Sequence, residues 1–568
     1  MIIHPELRAL RDNDTPQRIA QEALVASVSQ WRERSHVAAL LAAVKDFAGG
    51  GDLAEFPALS RLFDEDGAAE ELAGELAGVT LAALADNPLG HAPFRHFTDD
   101  TISTLQLARS GYVTLSLVAI DGYGLAKRPP ATTADFSPSE VWERVLAGHA
   151  QAVIIDRGNP RPDRADLSAS ALTLRSGSLI VRDARSRHMR LDSVDGCLVS
   201  LRLQRRLPDA GPTREYALAD GKLVHQAAGN PQDSRLELMM ALLARMGRAD
   251  AAPHFAGAST WAGQALVPRV LDVPPADPCS VAECVDALKA KGFDPRDEES
   301  LQHGAHLLRR LGADRSFLGD LLVAELAERR DDPDMRNFYG PQVIMLHAPD
   351  GGDFFMRANI WPSEEEFMMR ASGGASFVYG FAHDHNFDFL TLGYFGPGYW
   401  SEYYEYEYED VVGWQGEPVA LRFVEKSALH EGKIMHYRAH RDVHAQLPAD
   451  ALSVSLNIMH SGGSLGWMDQ YNFDTEAGRV RKIVSNGTSE AFLRVAVGLG
   501  SEQALDLAER FGARHQSERM RLAAWRALAS RETDVAARDD LWRRAGRSGS
   551  RLVAAEADLR RRVLEKTA

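Results

Sequence analysis

Cysteine is scarce. Cys197, Cys279 and Cys284 are the only three in 568 residues. Three thiols build no disulfide framework, and the pair at 279 and 284 has no neighbouring ligands, so reduced structural thiols are expected. Long apolar runs are missing too: no stretch approaches the roughly 18 uninterrupted apolar residues of a membrane span. The opening Met1-Ile-Ile-His-Pro-Glu lacks the basic and then apolar pattern of a secretory signal. Basic residues are in deficit, 64 against 80 acidic, for a net charge of −16. That balance argues against a dedicated nucleic-acid surface. It suits a cytoplasmic protein kept soluble by like charge. What remains is ordinary globular composition, 45% hydrophobic and 25% charged. The length implies about two to four domains.

Periodicity divides the chain into five stretches. Residues 1–88 carry apolar residues at helical spacing, as in Ile19-Ala-Gln-Glu-Ala-Leu-Val-Ala-Ser-Val, broken by Gly49-Gly-Gly. Residues 89–233 alternate like strands, as in Tyr112-Val-Thr-Leu-Ser-Leu-Val. Residues 234–340 read as a helical linker, 341–487 as a second strand-rich block, and 488–568 as helices rich in Arg, Ala and Leu. These closing helices would pack on a barrel or on a second copy of the chain in a homodimer.

The order suggests an internal duplication. Phe94-x-His96, Leu105 and Gly111-Tyr112 match Phe381-x-His383, Leu392 and Gly398-Tyr399 at one offset. Arg182, Arg185 and His188 match Arg438, Arg441 and His444. Ser200-Leu201 then matches Ser455-Leu456 after a one-residue slip. In this alignment Thr98 stands where the second copy has His385, so the first copy lacks a complete histidine set.

The second block carries the chemistry. In Phe381-Ala382-His383-Asp384-His385 two histidines two positions apart share one face of an extended chain, so both imidazoles can reach one metal ion. A glycine turn, Gly396-Pro-Gly-Tyr-Trp, follows. His444 comes later, just before the strand-like Leu452-Ser-Val-Ser-Leu456, and His440 is the reserve third ligand. Asp388 stands at odd spacing from His385, which turns it away from the pair. Three neutral imidazoles suit Fe(II), with Zn, Cu or Ni as alternatives. The run Glu402-Tyr-Tyr-Glu-Tyr-Glu-Tyr-Glu-Asp410 reads as an edge strand with an acidic solvated face.

A His-x-His pair, a glycine turn and a distant third histidine before a strand resemble the cupin barrel, and here a duplicated one, a bicupin. The variant they resemble is the three-histidine non-haem iron class that includes the cysteine and thiol dioxygenases. The resemblance implies an α+β (mixed) fold of two cupin-like antiparallel β-barrels with flanking helical segments, the first barrel degenerate. It implies His383, His385 and His444 as metal ligands. It also implies Fe(II), dioxygen as cosubstrate, and an upstream arginine, Arg357 or Arg370, on the substrate's carboxylate. Tyr399 is the further catalytic candidate, and Tyr399, Trp400 and Trp467 would line a pocket mouth. The pattern departs from thiol dioxygenases at Ser455-Leu-Asn457-Ile-Met459, where those carry Ser-x-His-x-Tyr, and at Leu390, their crosslinking position. A dioxygenase of another small chelating molecule, amino acid or peptide side chain is therefore expected. The alternatives are a scaffold protein binding a peptide, and a metal-dependent isomerase or hydrolase.

Overall fold

The chain was described through a computed structural model. The described residues are 4–161, 163–207, 211–227, 231–248, 271, 273–328, 340, 342–348 and 352–567. Parts of the expected linker, 249–270 and 329–339, lie outside them. The fold is mixed helix and sheet, with every strand pairing antiparallel. It divides into two units, residues 3–229 with 486–568, and residues 230–485. No helix among the described residues is long and apolar enough to cross a membrane.

The first unit opens with α1 (Pro5–Ala9), α2 (Thr15–Arg32), α3 (Ser35–Phe47), α4 (Pro57–Asp64) and α5 (Ala68–Asp86). On α2, Ala20, Leu24, Val28 and Trp31 form one buried stripe at the spacing of a helix face. The strands are β1 (Arg95–Thr98), β2 (Ile102–Ser110) and β3 (Val113–Asp121), then, after the short α6 (Gly122–Ala126), β4 (Thr133–Phe136), β5 (Ser139–Gly158), β6 (Asp166–Arg175), β7 (Leu179–Asp183), β8 (Arg187–Arg206), β9 (Thr213–Ala217) and β10 (Leu223–Ala227). One sheet runs β1-β2-β3-β8-β5-β6 with β7 also on β5; the other runs β10-β9-β4.

The second unit has α7 (Pro231–Arg245), α8 (Val281–Lys291), α9 (Glu298–Ala313) and α10 (Phe317–Glu328), then β11 (Val343–His347), β12 (Phe354–Trp361) and α11 (Phe367–Ser372). Eight strands follow: β13 (Phe389–Phe395), β14 (Trp400–Glu405), β15 (Arg422–Ala428), β16 (Ile434–Tyr437), β17 (Asp442–Leu447), β18 (Ser453–His460), β19 (Tyr471–Asp474) and β20 (Arg479–Ile483). They form sheets β11-β12-β18-β13-β16, β15-β14-β17 and β19-β20. Alternation decides which side chains go where. Met356, Ala358 and Ile360 of β12 join Cys284 and Leu288 of α8 and Leu301 and Leu308 of α9 in one core. Arg357 and Asn359 take the opposite face of the strand. Cys279 and Cys284 are buried free thiols, as is Cys197 in the first unit.

The chain then returns to the first unit as α12 (Thr488–Leu499), α13 (Glu502–Arg514), α14 (Glu518–Arg531), α15 (Val535–Gly546) and α16 (Arg551–Thr567). There α12 lies on β1, β2, β3, β5 and β8, and α13 on α5.

The two units share a sheet plan, which corrects the alignment. The order β2-β3-β8-β5-β7 repeats as β11-β12-β18-β13-β16. The far half of β5 pairs with β6 and with the near half of β8, as β14 pairs with β15 and β17. Ile155 opposes His188 and Ala169, just as Tyr403 opposes His444 and Glu425. The match of His188 with His444 therefore has a structural basis. The match of His96 with His383 has none: His96 sits on the edge strand β1, its Nδ1 2.9 Å from Thr488 Oγ1. The place of His383–His385 is taken by β4. Both segments immediately precede the next long strand and lie against the following hairpin, β4 on β9 and His383 bridged to Asn472 of β19. His188 Nδ1 donates to the Asp135 carbonyl at 3.0 Å. The first unit thus has Ala134, Asp135 and Phe136 where the second has its histidine pair.

Candidate metal centre

His383 and His385 lie on an extended segment tied to its surroundings through the backbone. His383 and His444 exchange N–H···O bonds of 3.0 and 2.9 Å. Asn472 Nδ2 donates to the Ala382 carbonyl at 2.7 Å, and Asn386 Nδ2 to the carbonyls of Leu465 and Met468 at 2.7 and 3.2 Å. Asp384 points the other way. Its carboxylate accepts from the Tyr406 hydroxyl and the Tyr471 N–H, both at 2.6 Å. Burial pushes this carboxyl up to about 7, against the pull of those two donors. Asp384 therefore anchors the segment from behind while its two neighbours face inward.

The three imidazoles converge. His383, His385 and His444 are buried, and one nitrogen of each lies within 4.8 Å of the others. Among the described residues this is the one group of three or more His, Cys, Asp or Glu so placed. Burial holds all three neutral, His383 down to about 4 and the other two well below their ordinary range. His383 Nδ1 lies 2.7 Å from the Phe381 carbonyl, which can only accept, so Nδ1 carries the proton and Nε2 keeps its lone pair. His385 Nε2 and His444 Nε2 are 3.0 Å apart. Three buried, neutral imidazoles with a nitrogen of each this close to the others fit a divalent transition metal, which would take one lone pair from each. Among the three, only His383 shows the outer carbonyl partner that usually orients a ligating histidine.

No carboxylate joins the set. Asp388 binds His436 Nε2 at 3.1 Å instead. His440 is outside as well: its N–H donates to the His385 carbonyl at 2.8 Å, and its ring lies 4.2 Å from that of Tyr408.

The surroundings are aromatic and polar by turns. Phe387 and Phe389 lie 5.0 and 4.9 Å from the His385 ring, and Tyr437 lies 4.8 Å from His444. The facing sheets meet through Tyr403 and Tyr437, whose hydroxyls are 2.9 Å apart. Burial pushes the Tyr399 phenol up, and Tyr437 and Gln446 beside it partly offset that. Its ring is buried 4.3 Å from Trp361. The turn before it is a glycine site by necessity: Gly398 has φ +85°, and a Cβ there would stand 2.0 Å from the Leu429 carbonyl oxygen. Arg357 lies on the face of β12 opposite Met356 and Ala358, across from Asn457. Arg370 lies exposed on α11. Trp400 is half-buried, with its indole N–H 3.3 Å from Asp450, and Trp467 is buried. Tyr403 stands in the acidic run noted in the sequence, whereas Tyr437 and Gln446 are additions from the structure. The signal was the period of two in Tyr399-x-Ser401-x-Tyr403 and His444-x-Gln446.

No protein-family model and no curated protein matches the chain in sequence. Solved structures with some likeness include an oxalate decarboxylase–formate complex of Lactobacillus farciminis, 8% identical over 66% of this chain and 85% of that one, with a TM-score of 0.16. A recombinant pro-11S globulin of pumpkin is 11% identical over 65% and 84%, with a TM-score of 0.16. A sugar phosphate isomerase from a cupin superfamily, of Silicibacter pomeroyi, is 13% identical over 22% and 76%, with a TM-score of 0.14. At these values the chemistry of the centre rests on its own geometry.

Proposed function

We propose that the protein is a metal-dependent enzyme, and specifically an Fe(II) oxygenase acting on a small anionic substrate or an amino-acid or peptide side chain. The observation that carries this reading is the convergence of three buried, neutral histidines on one point beside a polar interior. When bound, the metal would supply Lewis acidity and open coordination positions for substrate and dioxygen. The chain's own groups would do the rest. Arg357 would orient the substrate's anionic group through charge-assisted hydrogen bonds. Phe387 and Phe389 would keep water from the reacting atoms. Tyr399, Tyr437 and Tyr403 would hold a proton in their shared hydrogen bonds, because burial keeps all three phenols from ionising.

The test is elemental analysis of protein purified without oxygen. We expect about one metal per chain, almost none in His444→Ala or His383→Ala, and unchanged circular dichroism. An oxygen-electrode screen of amino acids, thiols, diketones and peptides should then find a compound that raises uptake above the His383→Ala background. Unchanged metal in both variants would remove the centre. Metal without any stimulated uptake would remove the oxygenase assignment and favour the isomerase or hydrolase reading.

A further inference from the structure

The unit without the three-histidine group contains a cleft of about 620 Å³, between α6, the middle of β8 and helices α14, α15 and α16. That volume is in the range, roughly 300–1,000 Å³, of small-molecule sites. Val194, Ala529, Trp542 and Val563 contribute its apolar wall. Four cations line it, Lys127, Arg526, Arg538 and Arg560, against two carboxylates, Asp121 and Asp195. The chain as a whole has the opposite balance.

Partners decide which of these charges are spent. Arg526 and Arg560 both bind Glu556, at 3.0 and 2.8 Å, and Arg526 also reaches Asp100 at 3.3 Å. Asp121 accepts from the Gly124 N–H at 2.9 Å, and Asp195 pairs with His149 at 2.7 Å. Lys127 and Arg538 have no carboxylate partner among the described residues. The Lys127 ammonium sits 4.5 Å from the centre of the Tyr123 ring, and Arg538 donates to the Glu532 carbonyl. The Tyr123 hydroxyl oxygen is buried, and it has no hydrogen-bond partner among the described residues. An unmatched buried hydroxyl in a native fold calls for a partner, since leaving one bare is costly.

We propose that this cleft binds a small organic anion with a flat apolar body. Its carboxylate or phosphate meets Lys127 and Arg538, its body lies along Val194, Val563 and Leu564, and the Tyr123 hydroxyl donates to it. The assignment does not depend on the metal centre. Isothermal titration of the full chain with 2-naphthoate, 2-naphthyl phosphate and the neutral 2-naphthalenemethanol tests it. We expect one anion per chain, the alcohol at least tenfold weaker, and the tighter of the two anions to identify the head group. The double variant Lys127→Glu/Arg538→Glu should lose at least tenfold in affinity, and Tyr123→Phe severalfold, with metal content and circular dichroism unchanged. No binding of either anion at millimolar concentration, equal binding of the alcohol, or undiminished binding by the double variant would each overturn the proposal.

Discussion

Arg357 is the residue proposed to meet the substrate's charge; on β12 it opposes Met345 on one side and Asn457 on the other. Here its field already lowers the basicity of His385. Against an anionic substrate found in the oxygen screen, Arg357→Met should lower kcat/KM by roughly 10- to 100-fold, mostly through KM, as expected for one charge-assisted bond. The metal should remain. Arg357→Lys should recover part of the loss, because an ammonium keeps the charge without the bidentate fork. Unchanged kinetics in Arg357→Met would show that the substrate's charge is met elsewhere.

At the scale of elements, β14 shows what alternation can and cannot say. On β14, Glu402 faces outward as its sequence implies, with Trp400 and Tyr404 beside it, while Glu405 falls on the side of the buried Ser401 and Tyr403. Yet it is no edge strand: it lies between β15 and β17. Its acids are answered by neighbours, Glu402 by Lys426, and Glu405 by Arg422, Arg438 and Arg441. A second ionic knot joins α14 to α16, where Glu556 takes both Arg526 and Arg560. Burial raises the Glu556 carboxyl, but the two guanidiniums outweigh it and hold it at about 2. A depressed carboxyl stabilises the fold fully above its unfolded value of roughly 4.3, and that contribution is lost as pH falls toward 2. Urea unfolding at pH 7 and at pH 3 should show this unit losing on the order of 1.5–2 kcal/mol between them through Glu556. Glu556→Gln should be less stable at pH 7 and should flatten that acid dependence. An unchanged acid slope in the variant would place the titration on other groups.

For the whole molecule, the notable feature is that the last 83 residues return to the first unit. Helix α12 buries Phe492, Leu493, Val495 and Val497 in that unit. A fragment of residues 270–568 would carry five helices without the sheet and helix they cover. It should be aggregated or bind apolar dyes strongly, as exposed patches of that size do. A soluble, cooperatively unfolding fragment would show that the helices stand on their own.

The sequence by itself determined the local facts. Helical spacing marks α2 and α12, and period two marks the strands. The spacing in His383-Asp384-His385 puts two imidazoles on one side and the carboxylate on the other. These follow from backbone geometry within a few residues, so they are legible without the fold. The choice of His444 over His440 as third member was also visible, through its place before a strand. Tertiary structure alone decided the rest. Strand neighbours are set by sheet order, and short motifs cannot reveal that, so His96 matched a histidine pair whose place is really held by Ala134, Asp135 and Phe136 of β4. Whether β14 is central, whether Tyr403 meets Tyr437 across facing sheets, and which unit receives α12 to α16 depend on residues far apart in sequence. Such pairings are chosen by the total surface they bury, a property of the assembled core and of no single stretch.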